Sequence, residues 1–300
     1  MTTTKSKLAR TLSSGRLAVT AECLPPLSGD AGAVRKLSAL LPSSLDAVVV
    51  ADNAGQIAGS ALACAAILAG EGRPSVLSMV TRDRNRIALE NDALGAAAMG
   101  IDAVFCLTGD HQSLGICPQA AGAYDIDSIQ FTQALKKMMR EGRGFNGHTI
   151  DPRPEWLLGA AAHPFQQPME LSLLRLRKKI AAGADFLLTQ AVFDLAGFTR
   201  WMDAIREAGL DRQVAIIASV LPLTGVEQVK AFDERHTYRP VDARTVARIS
   251  QASDAAKEGV AIAAEMAAAL KGVPGVRGIH ILSGGCEALA ASVIQEAGLV

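Results

Sequence analysis

The chain has 300 residues, of which 49% are hydrophobic, 20% are charged and only 4% are aromatic. Such a chain can bury a large core, which must consist mainly of Ala, Val, Leu and Ile, and its length is typical of one α/β barrel. The 30 basic and 30 acidic side chains cancel. This balance, without any basic run, argues against nucleic acid or an anionic membrane as a partner.

The cysteine pattern and the apolar windows indicate the cellular compartment. The five cysteines are scattered, odd in number and without a C-x-x-C pair, so neither a disulfide framework nor a zinc site is expected. Residues 1–16 include basic side chains, but the apolar segment of a secretory signal does not follow them. The apolar windows 58–69 and 253–270 are interrupted by Gly, Ser, Lys or Glu, unlike a membrane helix of about 20 apolar residues. We therefore expect a cytoplasmic protein.

Short apolar runs alternate with helical stretches along the whole chain. Near-continuous apolar character is typical of parallel strands that are covered on both faces. Eight runs of this kind predict strands at 17–23, 46–52, 75–80, 103–108, 157–162, 186–192, 214–221 and 278–283. Amphipathic stretches predict helices at 30–41, 84–98, 129–140, 169–182 and 254–271, and an opening helix near 4–13 is expected to cover the bottom of the barrel.

Eight strand–helix units are the number that closes a (β/α)8 TIM barrel. An open doubly wound sheet has the same alternation and is the alternative. No linker rich in Pro and Ser interrupts the pattern, so we expect one catalytic domain over 1–300. The polar stretch 233–252, which carries Pro240, predicts a long connection after the seventh strand with a helix in its second half.

Polar side chains follow most of the predicted strands at the end where barrel enzymes place their reacting groups. Buried polar groups are costly unless they are paired, so a set that meets at one rim indicates a shared site. Asp and Asn are also good N-caps, and a structural salt bridge is the alternative for the glutamate. The residues are Glu22, Asp52, Asn53, Asp110, His111, His163 and Gln190.

Common site motifs are missing from the sequence. There is no P-loop, no convincing G-x-G-x-x-G after a strand and no G-x-S-x-G elbow. The five histidines lack H-x-x-x-H spacing, so no metal site is expected. Gly284 and Gly285 follow the last strand, where barrels often bind phosphate, but two glycines are a weak signal. The residues alone indicate a barrel enzyme with a rim rich in carboxylates.

Four segments, in this order, resemble the methylenetetrahydrofolate reductase family, and most closely its short, acetogen-like bacterial members. They are TAECLPP (20–26), TRDRNR (81–86), CLTGDHQS (106–113) and LLTQAVFD (187–194). The resemblance implies a (β/α)8 barrel that binds FAD. It further implies reduction of 5,10-methylenetetrahydrofolate to 5-methyltetrahydrofolate, or the reverse oxidation, with NAD(P)H or a partner redox subunit as the electron donor.

The resemblance also assigns roles to residues. Glu22 matches the catalytic glutamate, which protonates a folate nitrogen, and burial could raise its pKa enough for this role. Asp110 matches an aspartate close to the flavin ring. Gln190 matches a glutamine that faces the pterin, and Gln228 and Phe232 fall near further folate contacts, although Phe232 could equally be core.

A larger set is expected to contact FAD, again through the resemblance. For two of its members, the adjacent lysines 178 and 179, a solvated helix face is the alternative. We expect the stretch 111–127 to cover the flavin. The set consists of Asp52, Asn53, Arg82, Leu107, Thr108, Gly109, Asp110, His111, Tyr124, Asp127, His163, Arg175, Lys178 and Lys179, and Arg84 is a further candidate for the pyrophosphate.

Three departures from the family pattern concern the cofactor and the folate tail. Thr108 stands where better-known members carry Arg, no Arg occurs in SGGCEA (283–288), and the fifth strand ends in alanines at 160–162 instead of an aromatic residue. Besides the reductase, the sequence allows a folate- and flavin-binding subunit of a larger complex with little activity alone, and a non-redox barrel such as a lyase or methyltransferase. We also expect a homo-oligomer.

Overall fold

The computed structural model describes residues 6–53, 58–115, 117–235 and 241–299. Eight parallel strands form a closed barrel in chain order, so the predicted TIM barrel is confirmed and the open sheet is wrong. The strands are β1 (Ala18–Cys23), β2 (Ala47–Val50), β3 (Ser75–Val80), β4 (Ala103–Leu107), β5 (Leu157–Ala162), β6 (Phe186–Ala191), β7 (Ala215–Val220) and β8 (Val276–Ile281).

The helices of the described residues surround the barrel, and all the predicted ones are confirmed to within a few residues. Met169–Ala182 agrees with the prediction at both ends. The helices are α1 (Lys7–Ser14), α2 (Ala31–Leu40), α3 (Ala61–Gly70), α4 (Arg86–Ala98), α5 (Ser128–Glu141), α6 (Met169–Ala182), α7 (Leu195–Glu207), α8 (Val226–Arg235), α9 (Ala243–Gln251), α10 (Ala255–Lys271) and α11 (Leu289–Glu296).

Side chains of each strand alternate between the barrel interior and the helices, because successive residues of a strand point to opposite faces. In β1, Val19, Ala21 and Cys23 pack in the large cluster between the strands and the helices. Ala18 belongs to the interior cluster, with residues such as Phe105 and Phe186. Glu22, four positions after Ala18, is therefore on the interior face at the carboxyl end of β1.

The bottom of the barrel is covered by α1, as predicted. Leu8 and Leu12 of this helix are buried in the interior cluster. Below β1, the buried Asp46 accepts hydrogen bonds from Val19 N and from Thr11 Oγ1, both at 2.9 Å, and forms an ion pair with Arg16. These contacts fix α1 against the barrel, so the amino end of the barrel is filled and the carboxyl end is left for the site.

The last part of the chain differs most from the prediction. Strand β8 begins at Val276, two residues before the predicted start, because it pairs with β7 from Ile216 onwards across a register shift. Arg277, whose charge obscures the start of the strand, donates a hydrogen bond to Leu12 O at 2.5 Å. In the stretch 233–252 the predicted second-half helix is confirmed as α9, whereas Pro240 lies outside the described residues.

None of the helices in the described residues combines the length and the apolar composition of a membrane span.

Two helical glycines predict opposite effects of the same substitution. A Cβ on Gly259 of α10 would lie 1.7 Å from the backbone oxygen of Leu223, whereas a Cβ on Gly95 of α4 would meet nothing within 4 Å. We expect Gly259→Ala to lower the free energy of unfolding by about 1–3 kcal/mol or more, because backbone must move. Gly95→Ala should raise it by about 0.5–1 kcal/mol through helix propensity.

Urea unfolding followed by circular dichroism measures both free energies. Equal effects of the two substitutions would contradict the close approach of α10 to the segment after β7.

Candidate active site

A cavity of about 380 Å³ opens at the carboxyl ends of the strands. Its walls carry apolar side chains, among them Val49, Val80 and Leu188. Its polar lining comes from several strand ends. Of the residues predicted for the site, those that line it are Glu22, Asp52, Asn53, Leu107, Thr108, Gly109, Asp110, His163, Lys179, Gln190 and Phe232.

Glu22 is the half-buried carboxyl group at the first strand end. One of its oxygens, Oε2, accepts hydrogen bonds from Ser283 N at 3.0 Å and from Ser283 Oγ at 3.1 Å. Burial raises the pKa of Glu22 above its usual value, and the hydrogen bonds from Ser283 oppose this shift. The described residues show no ion pair to Glu22, so the structure does not support the alternative of a structural salt bridge.

Two further side chains near Glu22 were missed by sequence reasoning. Glu287 is only 6% exposed and accepts a hydrogen bond from Leu24 N at 2.9 Å, and its negative charge contributes to the raised pKa of Glu22. His280 lines the cavity, its Nδ1 is 2.9 Å from Thr20 Oγ1, and burial lowers its pKa to about 3. Both residues could have been found from the sequence by their position, since His280 lies on the last strand and Glu287 follows it.

The second and third strand ends are joined by an ion pair. The buried Asp52 accepts from Val80 N at 2.8 Å and from Arg84 NH1 at 2.7 Å. Arg84 also contacts Asp92, through its Nε at 3.0 Å. Asp52 thus joins two strand ends of the rim and also lines the cavity.

Arg82 is also neutralised within the protein. Its Nε and NH2 groups each donate to a different carboxylate oxygen of Asp83, both at 2.7 Å, and its NH1 donates to Asp110 O at 2.7 Å. Asn53, with a φ of 47°, donates to Asp83 Oδ2 at 3.2 Å. Arg82 does not line the cavity, and its side chain instead holds the turn after β4.

That turn brings backbone groups to the cavity wall. Gly109 has a φ of 85°, which favours glycine because other residues rarely adopt it. The side chain of Asp110 is exposed beside it. Thr108 donates to Ser128 Oγ at 3.0 Å and accepts from Ser128 N at 3.1 Å. The hydroxyl therefore ties the turn to the start of α5.

In the loop after this turn, residues 111–115 and 117–127 do not line the cavity. His111 and Tyr124 stack with ring centroids 6.0 Å apart, and Tyr124 donates to Gln112 Oε1 at 2.5 Å. Asp127 caps α5 in a capping box with Gln130. The predicted covering stretch 111–127 includes residue 116, which is outside the described residues.

Of the three predicted basic residues of α6, only Lys179 reaches the cavity. Its Nζ donates to Ala161 O at 2.5 Å, and burial, assisted by the charge of Arg175, lowers its pKa to about 8. It is the only Lys or Arg among the described residues that line the cavity. Lys178 is exposed, and Arg175 donates to Gln166 Oε1 at 3.0 Å.

The opposite wall carries the predicted folate-side residues. Gln190 Oε1 is buried and has no hydrogen-bond partner among the described residues, which leaves an acceptor available to a ligand. Phe232 lines the cavity and packs edge-on against Phe193 at 5.5 Å, so it is at once a core and a wall residue. Gln228 does not line the cavity. It accepts from Thr224 N at 2.7 Å and donates to Gly284 O at 3.2 Å.

Among the described residues, no group of three or more His, Cys, Asp or Glu side chains is placed to hold a metal ion. A cavity with polar groups at the carboxyl end of a closed parallel barrel is the arrangement of the active site in barrel enzymes.

Comparisons with known proteins assign the enzyme class. The chain belongs to the methylenetetrahydrofolate reductase family, whose sequence profile, described as "Methylenetetrahydrofolate reductase", matches residues 7–298. The enzyme is therefore an oxidoreductase. The 5,10-methylenetetrahydrofolate reductase of Pectobacterium carotovorum subsp. carotovorum is 26% identical over 223 residues, covering 73% of this chain and 68% of that protein. That of Salmonella typhimurium (strain LT2) is 25% identical over 230 residues, covering 75% and 71%.

Solved structures share the fold. One is an uncharacterized protein from Clostridium thermocellum that binds two copies of 5-methyl-5,6,7,8-tetrahydrofolic acid; it has a TM-score of 0.69 and 14% identity, and the match covers 98% of this chain and 100% of that one. A second, 2,3-dimethylmalate lyase, has a TM-score of 0.53 and 16% identity, covering 99% and 87%. At these identities the likeness establishes the barrel fold alone.

The two carboxylate partners of Arg84 predict unequal effects on stability. Asp52 is almost fully buried, whereas the side chain of Asp92 is 33% exposed. We expect Asp52→Asn to lower the free energy of unfolding by about 1.5–3 kcal/mol, because a buried charge-assisted pair is lost. Asp92→Asn, the matched control, should lower it by less than about 1 kcal/mol. Chemical unfolding curves give both values, and a larger effect at Asp92 would contradict the structural role of Asp52.

Proposed function

We propose that this enzyme reduces 5,10-methylenetetrahydrofolate to 5-methyltetrahydrofolate, or runs the reverse oxidation, with FAD as the bound cofactor. NAD(P)H or a partner redox subunit is the proposed donor. The observation that carries the proposal is that Glu22, Asp110 and Gln190 line one cavity in a member of this family. The methyltetrahydrofolate bound by the Clostridium thermocellum protein is consistent with it.

The residues of the cavity fit a flavin. A flat ring system needs broad apolar walls with polar groups at its edge, and the cavity has both. The β4 turn offers backbone groups, and Lys179 offers a cation for an anionic part of the cofactor. When bound, FAD supplies hydride chemistry that the side chains lack.

Glu22 has the properties of the proton donor. Opening the methylene bridge of the substrate requires protonation of a folate nitrogen, and a carboxyl group with a raised pKa keeps its proton at higher pH. Both Ser283 donors contact Oε2. Since Oε2 acts as the acceptor, the proton of the neutral acid belongs on Oε1, which is the oxygen left to face the substrate.

Gln190 would orient the pterin of the substrate, and Asp110 would influence how much negative charge accumulates in the cavity. The unpartnered Oε1 of Gln190 can accept from the donor edge of a pterin while its NH2 group donates. Asp110 places a carboxylate at the β4 turn, whose backbone is held by Arg82. A negative charge at this position disfavours accumulation of further negative charge in the cavity.

The role of Glu22 predicts a split between two half-reactions. We expect Glu22→Gln to slow oxidation of reduced flavin by methylenetetrahydrofolate about 10²-fold or more, because the acid is lost. Reduction of the flavin by NADH should be nearly unchanged, since no folate nitrogen is protonated there. Stopped-flow absorbance measures each half-reaction separately.

The same experiment tests the donor and the cofactor. Loss of both half-reactions in Glu22→Gln would contradict the assigned acid. A wild-type protein that oxidises chemically reduced flavin with folate, but is not reduced by NADH or NADPH, would assign the donor to a partner subunit. Purified protein that retains no flavin absorption after added FAD would overturn the proposal.

Lys179 predicts a pH dependence of cofactor affinity. Its amino group, with a pKa of about 8 in the free protein, is charged below that pH and neutral above it. Binding of an anionic group requires the charge, so affinity for FAD should be constant below pH 8 and fall as pH rises through it. Lys179→Met should weaken binding about 10- to 100-fold at pH 7 and abolish this decline.

Lys178→Met is the matched control, because this lysine is adjacent on the same helix and exposed. The affinity of Lys178→Met for FAD, measured by flavin fluorescence titration across the pH range, should stay close to that of the wild type. Weakening confined to Lys178→Met would show that the exposed face of α6 binds the cofactor.

A further inference from the structure

We infer that Glu287 is a positioning residue for Glu22: its buried carboxylate fixes the backbone after Glu22 and holds a like charge beside the acid. This inference rests on the proposed function, in which Glu22 donates a proton.

The seam between β1 and β8 brings the two carboxyl groups together. Residues Ala18–Ala21 pair with Gly278–Ile281, so the segments that follow the two strands leave the barrel side by side. Glu22 is bound by Ser283, the second residue after β8. Four residues further on, Glu287 reaches back and accepts from Leu24 N, the second residue after Glu22. The loop after β8 therefore contacts both the carboxyl group of Glu22 and the backbone that follows it.

Glu287 is an unusual group for this position. Its side chain is buried, and among the described residues no Lys, Arg or His forms an ion pair with it. A buried carboxylate without a cation is costly. A neutral amide could also accept from Leu24 N, so the hydrogen bond alone does not require the charge.

The charge acts on Glu22. A second negative charge nearby disfavours ionisation of a carboxyl group, and this adds to burial in raising the pKa of Glu22, whereas the Ser283 donors lower it. Glu287 and Ser283 thus work in opposite directions on the same proton. Burial is the largest cause of the raised pKa of Glu22, and the two residues adjust the pH up to which Glu22 remains an acid.

Other titratable groups of the described structure adjoin the seam or line the cavity. Those next to the two glutamates are the buried thiols Cys23 and Cys64. Asp52 is paired with Arg84, and burial keeps His280 neutral at ordinary pH. The remaining groups on the cavity walls are Cys106, Asp110, His163 and Lys179.

The test compares Glu287→Gln with Ser283→Ala in the full-length protein. Infrared difference spectra, with Glu22→Gln to identify the carboxylic acid band, follow the protonation of Glu22 without any substrate. We expect the midpoint of the Glu22 titration to move to lower pH in Glu287→Gln and to higher pH in Ser283→Ala. The pH profile of the folate half-reaction should move likewise, and each unit of displacement changes the rate on its alkaline side about tenfold.

Two more variants complete the design. Glu287→Asp keeps the charge but withdraws it by one methylene, so it should move the midpoint less than Glu287→Gln in the same direction. Glu296→Gln removes an exposed carboxylate on the following helix and should leave the midpoint of the Glu22 titration unchanged. Thermal melting confirms that each variant is folded.

An unmoved midpoint in both Glu287 variants, with wild-type folate turnover present, would overturn the role of Glu287 and leave the proposed function intact. Absence of folate turnover in the wild-type protein would overturn the proposed function, and the infrared midpoint would still report the coupling of the two carboxyl groups.

Discussion

Pairing of the first strand with the eighth is the interaction on which the site depends. Hydrogen bonds between β1 and β8 close the sheet, and closure brings Ser283 to Glu22 across 261 positions of sequence. In an open sheet these strands would lie at opposite edges, and Glu22 would have no hydroxyl partner and no neighbouring Glu287. The acid is thus a property of the closed barrel and not of β1 alone.

Charge is distributed unevenly around the rim. On the β2–β4 side the guanidinium groups are neutralised by carboxylates: Arg84 by Asp52 and Arg82 by Asp83. On the β8 side, Glu22 and Glu287 are without cations among the described residues. Burial favours the neutral form of Glu22, so the first side has the character of a scaffold and the second that of an acid. Between them, Lys179 leaves a titratable cation on the cavity wall.

The fold and much of the site could be predicted from local features. Apolar runs identified all eight strands, because both faces of a barrel strand are covered, and Met169–Ala182 was predicted at both ends. The polar residues at the strand ends predicted a shared site that includes Glu22, Asp110 and Gln190, and these residues do line one cavity. The family resemblance also suggested the cavity for a further set of residues, whose side chains have other partners or lie outside its lining: Arg82, His111, Tyr124, Asp127, Arg175, Lys178 and Gln228.

The sequence by itself determined the alternation of strands and helices and the residue type at each strand end, because these depend on periodicity and on the chemistry of single side chains. Only the tertiary structure decided which polar groups neutralise one another. Asp52 pairs with Arg84 across 32 positions of sequence, a contact that no spacing rule contains. Glu287, in a segment that carries no motif, became the neighbour of Glu22 because two strand ends far apart in the chain meet where the barrel closes.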